Sequence, residues 1–251
     1  MLLLLSIAFV ALITGWQGLG VGFLALPVFV LFLPDFASQA QPHALLLSGV
    51  TAAVILATTK KKFGLDKKQM LILGGSAAIA AFVGGLMSRA VIDRSCIIMI
   101  LYGYSILIIY IPFNFISKPI LHQVNFGMVV IAATIVSLLA SWMGVGPGYM
   151  LLPILVLSGL ELKRSIAISA MVEILVSVFA LLPRLAEASW QVSWLLGLIL
   201  VAGLFAFLGA SLSERYKLRR EIRIIWIVGV FGLVLYSVFK VNNICGIFQG
   251  Y

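Results

Sequence analysis

Charged residues are scarce in this chain. They make up 10% of its 251 residues, whereas hydrophobic residues make up 63% and the mean hydropathy is +1.20. An average soluble domain is about a quarter charged, so a soluble globular domain is excluded and an integral membrane protein is indicated. The charges are mainly basic, 17 Lys and Arg against 8 Asp and Glu. In a membrane protein this excess is typical of cytoplasmic loops rather than of nucleic-acid binding.

Cysteine, histidine and catalytic motifs are also sparse. Cys96 and Cys245 have no second Cys or His at metal-ligand spacing, so neither a zinc site nor a disulfide framework is indicated. The sequence contains no H-E-x-x-H, no G-x-S-x-G with a usable partner, and no paired aspartates within its apolar segments. We therefore expect no metal, no cofactor and no enzymatic activity.

The apolar residues fall into long runs without the alternation that a membrane β-barrel requires, so we predict an all-α protein. Ten helical segments are expected, at residues 2–15, 23–33, 44–59, 70–87, 96–113, 126–142, 149–157, 166–182, 192–212 and 222–239. We interpret the first as a membrane segment rather than a signal peptide, because no basic region precedes it. Crossing the bilayer takes about 20 residues, so segments 23–33 and 149–157 are predicted to be half-helices.

Each predicted half-helix follows the same glycine motif, W-x-G-x-G-x-G-x-x-x-x-P, and the two copies are 126 residues apart. The first glycine motif contains Trp16, Gly18, Gly20, Gly22 and Pro27, and the second contains Trp142, Gly144, Gly146, Gly148 and Pro153. A weaker similarity matches residues 44–48 with residues 165–169. The duplication predicts two five-segment repeats, 1–117 and 118–251, within one transmembrane domain.

The glycines permit two interpretations. Their G-x-x-x-G spacing is typical of closely packed membrane helices. However, three glycines at every second position lie on different faces of a helix, and each lowers helix stability by about 1 kcal/mol. Pro147 in the second motif adds to this cost, so an unwound turn is favoured. Irregular backbone at membrane depth survives only where protein buries it or water lines it, and the motifs therefore predict a cavity.

The basic residues favour a topology in which each glycine-broken pair of segments enters and leaves the membrane on one side. Of the 17 Lys and Arg, 13 then lie inside, and the outside keeps Arg89, Arg94, Arg184 and Lys240. A single crossing by each pair would divide the charges 8 against 9. Because five segments is an odd number, the second repeat is inverted relative to the first, a plan common among secondary transporters.

The predicted breaks are candidate anion sites. The first amides of a helix have no intrahelical partner and the helix start carries partial positive charge, so two facing starts favour an anion. Four hydroxyls are candidate additional donors, although ordinary helix–helix hydrogen bonding is an alternative for each: Ser48, Thr51, Ser165 and Ser169. Trp16 and Trp142 are candidates for walls of the cavity, with packing as the alternative. We interpret Arg184 as an interfacial residue, with attraction of anions as the alternative.

Glu173 is the one acidic residue well inside an apolar segment. Charged groups at this depth are costly and usually functional, so we expect a role in proton coupling or gating. It lies one helical turn after Ser169, which puts both residues on one helix face. The alternative is a neutral glutamic acid that is hydrogen-bonded within the helix bundle.

The twin glycine motifs, each followed by a helix with an A-x-x-x-S-like start, resemble those of the TauE/SafE (TSUP) family of sulfite and organosulfonate transporters. The resemblance covers essentially the whole chain. It implies movement of sulfite, thiosulfate, sulfonates or related organic anions across the prokaryotic plasma membrane, coupled to protons. Val21 and Pro147 depart from the G-x-G-G-G often found in that family. An anion channel built from the same half-helices is the alternative function.

The predicted topology can be tested by cysteine accessibility. We expect a cysteine at Phe36 to react with a membrane-impermeant reagent from outside and one at Leu160 to react only from inside, in a protein whose native cysteines are replaced by serine. Labelling of intact cells and of inverted vesicles measures both. Finding the two positions on the same side would contradict the inverted arrangement.

Overall fold

The computed structural model describes residues 1–59, 65–89, 125–190 and 192–215, with helical pieces at 228–230, 232–233 and 235–236. The α-helices in chain order are α1 Leu2–Gln17, α2 Gly22–Phe32, α3 Gln41–Thr58, α4 Lys67–Arg89, α5 Phe126–Met143, α6 Gly148–Leu157, α7 Leu162–Leu181 and α8 Val192–Arg215. A π-helical turn, Phe36–Ala40, leads into α3, and a 3-10 turn, Leu182–Arg184, follows α7. These ranges contain no β-strand.

The all-α prediction is confirmed for the described part of the chain, where eight predicted segments coincide with α1 to α8. The largest difference is at α7, which begins at Leu162 rather than Ile166. Lys163 and Arg164 belong to its first turn, because both residues have high helix propensity and can reach water from a helix end. The predicted segment 96–113 and the join between the two predicted repeats lie outside the described residues, and segment 222–239 is described only in short pieces.

Five of the described helical stretches are long and apolar enough to cross a membrane: Phe36–Thr58, Lys67–Ser88, Phe126–Met143, Leu162–Arg184 and Trp194–Ser213. Three apolar helices are shorter, and α2 and α6 have only 11 and 10 residues. At 1.5 Å per residue these two helices are about half as long as the hydrocarbon core is thick. The protein is therefore a multi-pass membrane protein in which short helices are packed among spanning ones.

The helices before the two glycine motifs each pack backbone to backbone against a long helix. A β-carbon on Gly209 of α8 would overlap the carbonyl oxygen of Leu12 and lie 2.8 Å from the Trp16 nitrogen in α1. A β-carbon on Gly84 of α4 would overlap the carbonyl oxygen of Leu138 in α5. Glycine allows both close crossings, as small residues do in membrane helix interfaces generally.

The central pair of long helices, α3 and α7, runs antiparallel. Ser48 of α3 hydrogen-bonds Glu173 of α7, and a β-carbon on Gly49 would lie 2.9 Å from the Ser177 β-carbon. Further along α3, Ile55 belongs to the same apolar cluster as Ala170, which lies nearer the start of α7. From residues 48 and 49 to residue 55 of α3, the neighbouring residues of α7 therefore move back from 173 and 177 to 170, as antiparallel packing requires.

The half-helices are enclosed by this framework. In α2 every residue from Gly22 to Val30 is buried, and in α6 Gly148 to Pro153 are buried. Pro27 and Pro153 lie inside these helices, where proline removes one backbone hydrogen bond and kinks the helix. Burial on all sides rather than amphipathic packing explains why both segments are apolar throughout.

The antiparallel packing of α3 on α7 predicts a specific crosslink. In a protein with Cys96 and Cys245 replaced by serine, we expect the pair Gly49→Cys and Ser177→Cys to form a disulfide on mild oxidation. A modest relaxation of the helices would bring the two β-carbons to the mean disulfide separation of about 3.8 Å. Peptide mass spectrometry detects the bond. The matched pair Gly49→Cys and Ala167→Cys, which is displaced by nearly three turns of α7, should stay reduced, and equal crosslinking of both pairs would contradict the packing.

Candidate functional site

Both glycine motifs end one helix and begin another. α1 ends at Gln17, and Gly18 adopts a left-handed conformation with φ 74°. α5 ends at Met143, and Gly144 is left-handed with φ 78°. In each case two backbone N–H groups cap the preceding helix, with Leu19 donating to Thr14 and Val145 donating to Ala140, both at 2.9 Å. This is the Schellman cap, in which glycine is favoured because it adopts positive φ without strain.

The helices resume after four non-helical residues in each motif, at Gly22 and at Gly148. Val21 precedes α2 and Pro147 precedes α6, and each provides the carbonyl that accepts the first helical hydrogen bonds. The Val21 N–H, which would otherwise be buried without a partner, donates to the Thr51 hydroxyl at 2.9 Å. Residues 18–21 are the first break and residues 144–147 are the second break. All eight residues are buried.

The two breaks contact each other in the protein interior. A β-carbon on Gly22, the first residue of α2, would lie 3.0 Å from the Gly146 nitrogen and would overlap Ser48. A β-carbon on Gly146 would in turn overlap the Ser48 hydroxyl and Glu173 Oε1. A side chain at Gly22 or Gly146 would collide with Ser48 or Glu173, so glycine is required at both positions. Because neither residue has a side chain, the starts of α2 and α6 can lie in contact.

Glu173 lies where the breaks meet. Its side chain is 2% exposed, and its carboxylate accepts hydrogen bonds from the Ser48 hydroxyl and from the Gly20 N–H. A β-carbon on Gly20 or on Gly146 would overlap Oε1, and one on Gly148 would overlap Oε2. The carboxylate therefore contacts backbone from both breaks at once.

The place where the two breaks meet Ser48 and Glu173 is the centre of the site, and the contacts around it are reciprocal. Gly22 faces Ser48, and Gly148 faces Glu173. The two glycines are corresponding residues of the motifs, 126 apart, and the residues that they face in α3 and α7 are 125 apart. In the same way Gly18 faces Ile166, whereas Gly144 faces Gln41. The match that the sequence indicated between Ser48 and Ser169 is not the one that these contacts follow. They pair Ser48 with Glu173, four residues and about one helical turn further on.

An aromatic pair covers one side of the centre. Phe23 and Tyr149 directly follow the last glycine of each motif, and their rings stack with centroids 5.5 Å apart and planes inclined by 20°. Both side chains are buried. Stacked aromatic rings at this separation contribute about 0.5 to 1.5 kcal/mol beyond the burial of their surface. The pair fixes the starts of α2 and α6 relative to each other.

The remaining predicted residues lie around the centre rather than in it. Gly18 and Gly144 are helix caps, and Trp16 and Trp142 lie at the crossings of α1 with α8 and of α5 with α4. Ser169 is buried in α7, one turn before Glu173. The residues that the structure brings together from the predicted set are Gly20, Gly22, Gly146, Gly148, Ser48 and Glu173.

Arg184 lies at the end of the spanning stretch Leu162–Arg184, where its side chain is buried against protein. It is 3% exposed, and its guanidinium donates to the carbonyl oxygens of Ala180 at 2.6 Å and Ser141 at 2.5 Å. Ser141 lies in the last turn of α5, where the carbonyls carry partial negative charge that a cation stabilises. Arg184 thus joins the end of α7 to the helix that leads into the second break.

Two other contributors were missed by sequence reasoning. The Gln41 side chain donates to the Met143 carbonyl at 2.9 Å and its oxygen accepts from the Ser88 hydroxyl at 3.3 Å, which ties α3 to the end of α5. A lone glutamine before a proline gives no sequence signal for such a contact. The pair of Phe23 and Tyr149 did carry a signal, because aromatic residues follow the glycines at matched positions in both motifs.

The chain matches a family model described as "Sulfite exporter TauE/SafE" over residues 3–237. No curated protein and no solved structure matches it. The match includes both glycine motifs, the helices α2 to α8 and all of α1 except Leu2.

The contact between the breaks predicts the effect of a single methyl group. We expect Gly146→Ala to lower the free energy of unfolding by about 1–3 kcal/mol, because the methyl group would overlap Ser48 and Glu173 in a filled interior. Denaturant titration in mixed micelles measures the loss. Gly75→Ala is the control, since a β-carbon at Gly75 meets no atom within 4 Å. Its stability should be unchanged or slightly higher, and similar effects of both substitutions would contradict the contact.

Proposed function

We propose that this chain, which belongs to the sulfite exporter TauE/SafE family, is a secondary transporter that moves a small anion across the plasma membrane of a prokaryote. The family is one of membrane transporters, and the substrate class we propose is sulfite, thiosulfate, a sulfonate or a related organic anion. The anion is held between the two breaks. The observation that carries this proposal is the buried contact between the breaks at Gly22 and Gly146.

The chemistry of this centre favours an anion. α2 and α6 begin there, and the first amides of a helix, with its partial positive charge, bind anions. Neither α1, α2, α5 nor α6 carries a Lys, Arg, Asp or Glu. The attraction therefore comes from backbone amides and hydroxyls rather than from a fixed cation, which suits a solute that must be released again.

The centre also lies at a depth suited to transport. Ser48 is close to the middle of α3 and Glu173 is close to the middle of α7, and both helices are long enough to span the bilayer. Transporters commonly place substrate near the midplane, where discontinuous helices meet. Polar groups at this position are expensive unless they have a function.

We further propose that the two glycine motifs belong to inverted repeats, residues 1–117 and 118–251. Two observations support this. The contacts of the two motifs are reciprocal, as a two-fold relation requires, and the corresponding helices α3 and α7 run antiparallel. Antiparallel packing of corresponding helices in a membrane means that one half is upside down relative to the other.

Proton coupling through Glu173 is part of the proposal. Its carboxyl is buried beside the amide of Gly20 and the hydroxyl of Ser48, so the charge of this side chain acts directly on an anion between the breaks. An anion channel of the same architecture remains the alternative, because opposed half-helices also line pores.

Transport in proteoliposomes distinguishes carrier from channel. We expect sulfite, thiosulfate or a sulfonate to accumulate against its own gradient when a pH gradient is imposed, and we expect a protonophore to abolish the accumulation. A channel would equilibrate the anion without accumulation. Liposomes without protein measure leakage, and sulfate and short carboxylates test selectivity. Binding of a cationic or neutral solute, with none of these anions bound, would contradict the functional assignment.

A further inference from the structure

We propose that the Glu173 carboxylate is a tethered anion that occupies the substrate's own position between the breaks, so that one proton and one anion bind together and cross the membrane in the same direction. This inference rests on the proposed function and adds the mode and stoichiometry of coupling. Two observations support it: the groups that the carboxylate contacts, and the residue that corresponds to Glu173 in the other half of the chain.

The carboxylate uses the donors that a substrate anion would need. Its partners are the Gly20 N–H in the first break and the Ser48 hydroxyl on α3. Its oxygens also lie against Gly146 and Gly148, in the second motif. A carboxylate is itself a small oxyanion, so it satisfies the same amides. Two negative charges in one buried site repel each other strongly, so substrate and ionised Glu173 exclude each other.

Protonation of Glu173 removes this repulsion. A proton from solution that binds the carboxylate makes Glu173 neutral, and its hydrogen bonds to Gly20 and Ser48 weaken because a charged acceptor forms stronger hydrogen bonds than a neutral one. The amides and the hydroxyl are then available to a substrate anion. The site thus holds a single negative charge in either condition, on Glu173 or on a monovalent substrate.

Among the side chains that the structure describes, no charged group contacts the Glu173 carboxylate, and the other charged residues of α7, Lys163 and Arg164, lie in its first turn. The elements in most extensive contact with α7 are α3, α4, α5, α6 and the 3-10 turn, and the first break, which also contacts α7, has no titratable residue. α5 has no titratable residue, and the groups on the others are His43 and Tyr149, the terminal residues Lys67, Lys68 and Arg89 of α4, and Arg184. His43 bonds the Gln39 carbonyl and stacks on Trp194, and Arg184 bonds two carbonyls. Tyr149 stacks on Phe23.

The stoichiometry follows from the reciprocal contacts. Gly148 faces Glu173 as Gly22 faces Ser48, so the position that corresponds to the acid in the other half is a hydroxyl. One carboxyl therefore serves a site built from two breaks, and one proton accompanies each anion. The site changes sides in two forms only: with Glu173 ionised and no substrate bound, or with Glu173 protonated and substrate bound. A proton and an anion therefore cross together in the same direction, which makes the protein a symporter. Transport of a monovalent anion is then electroneutral.

The test uses the full-length chain in nanodiscs and proteoliposomes with methanesulfonate as the probe. A sulfonate stays a monoanion from mildly acid to mildly alkaline pH, so its own titration does not confuse the result. Once Glu173 is ionised, we expect the affinity of the wild-type protein to fall by about tenfold per pH unit, as binding linked to one proton requires. Glu173→Gln, which stays neutral, should bind with an affinity that is independent of pH.

The direction of coupling is measured in the same preparation. In wild-type proteoliposomes, methanesulfonate uptake should acidify the lumen by one proton per anion, and an inward proton gradient should drive accumulation. Glu173→Gln should equilibrate the anion without moving protons. Ser177→Ala is the matched control, one turn further along α7 and also buried, and it should keep both the pH dependence and the coupling.

Three outcomes would overturn the inference: wild-type affinity that is constant with pH, protons that move opposite to the anion, or accumulation by Glu173→Gln in a pH gradient. If Glu173→Gln fails to fold, the pH dependence of wild-type affinity and the number of protons moved per anion still test the inference. Failure of the proposed function gives a different result, because neither methanesulfonate nor sulfite nor thiosulfate would then bind the wild-type protein at any pH.

Discussion

Two interrupted helices can meet inside a membrane protein only if their backbones approach each other without side chains between them. Here the approach depends on Gly20, Gly22, Gly146 and Gly148, each of which faces Ser48 or Glu173 so closely that a methyl group would not fit. The other features of the interior follow from this contact. Gly18 and Gly144 end the preceding helices, and Phe23 stacks on Tyr149 beside the junction.

The two breaks differ at the residue that precedes the short helix, where a backbone N–H would be buried. A buried N–H without a partner costs free energy, and at the first break the Val21 N–H is satisfied by the Thr51 hydroxyl. The corresponding residue in the second motif is Pro147, which has no N–H, and the residue of α7 that corresponds to Thr51 is Val176. The absence of the donor thus coincides with the absence of the acceptor.

Much of the fold could be predicted from the sequence because bilayer thickness and helix geometry fix the length of each segment. The half-helices α2 and α6 were predicted within one residue at each end, since a glycine motif and a polar or proline residue limit an apolar run that is too short to span. The position of α7 was less accurate, because the predicted segment began only after Lys163 and Arg164. The site was predicted as a set of glycines with Ser48 and Glu173 nearby, without their mutual contacts.

The sequence by itself determined where the helices break, because glycine and proline act on the local backbone and their pattern repeats after 126 residues. It also determined that a single carboxyl lies deep in an apolar segment. The tertiary structure decided which side chain meets which break. The weak similarity of α3 and α7 matched Ser48 with Ser169, whereas packing of the two antiparallel helices brings Ser48 to Glu173. A shift of one helical turn preserves the same apolar face, so local pattern leaves the register open and only close packing across the interior fixes it.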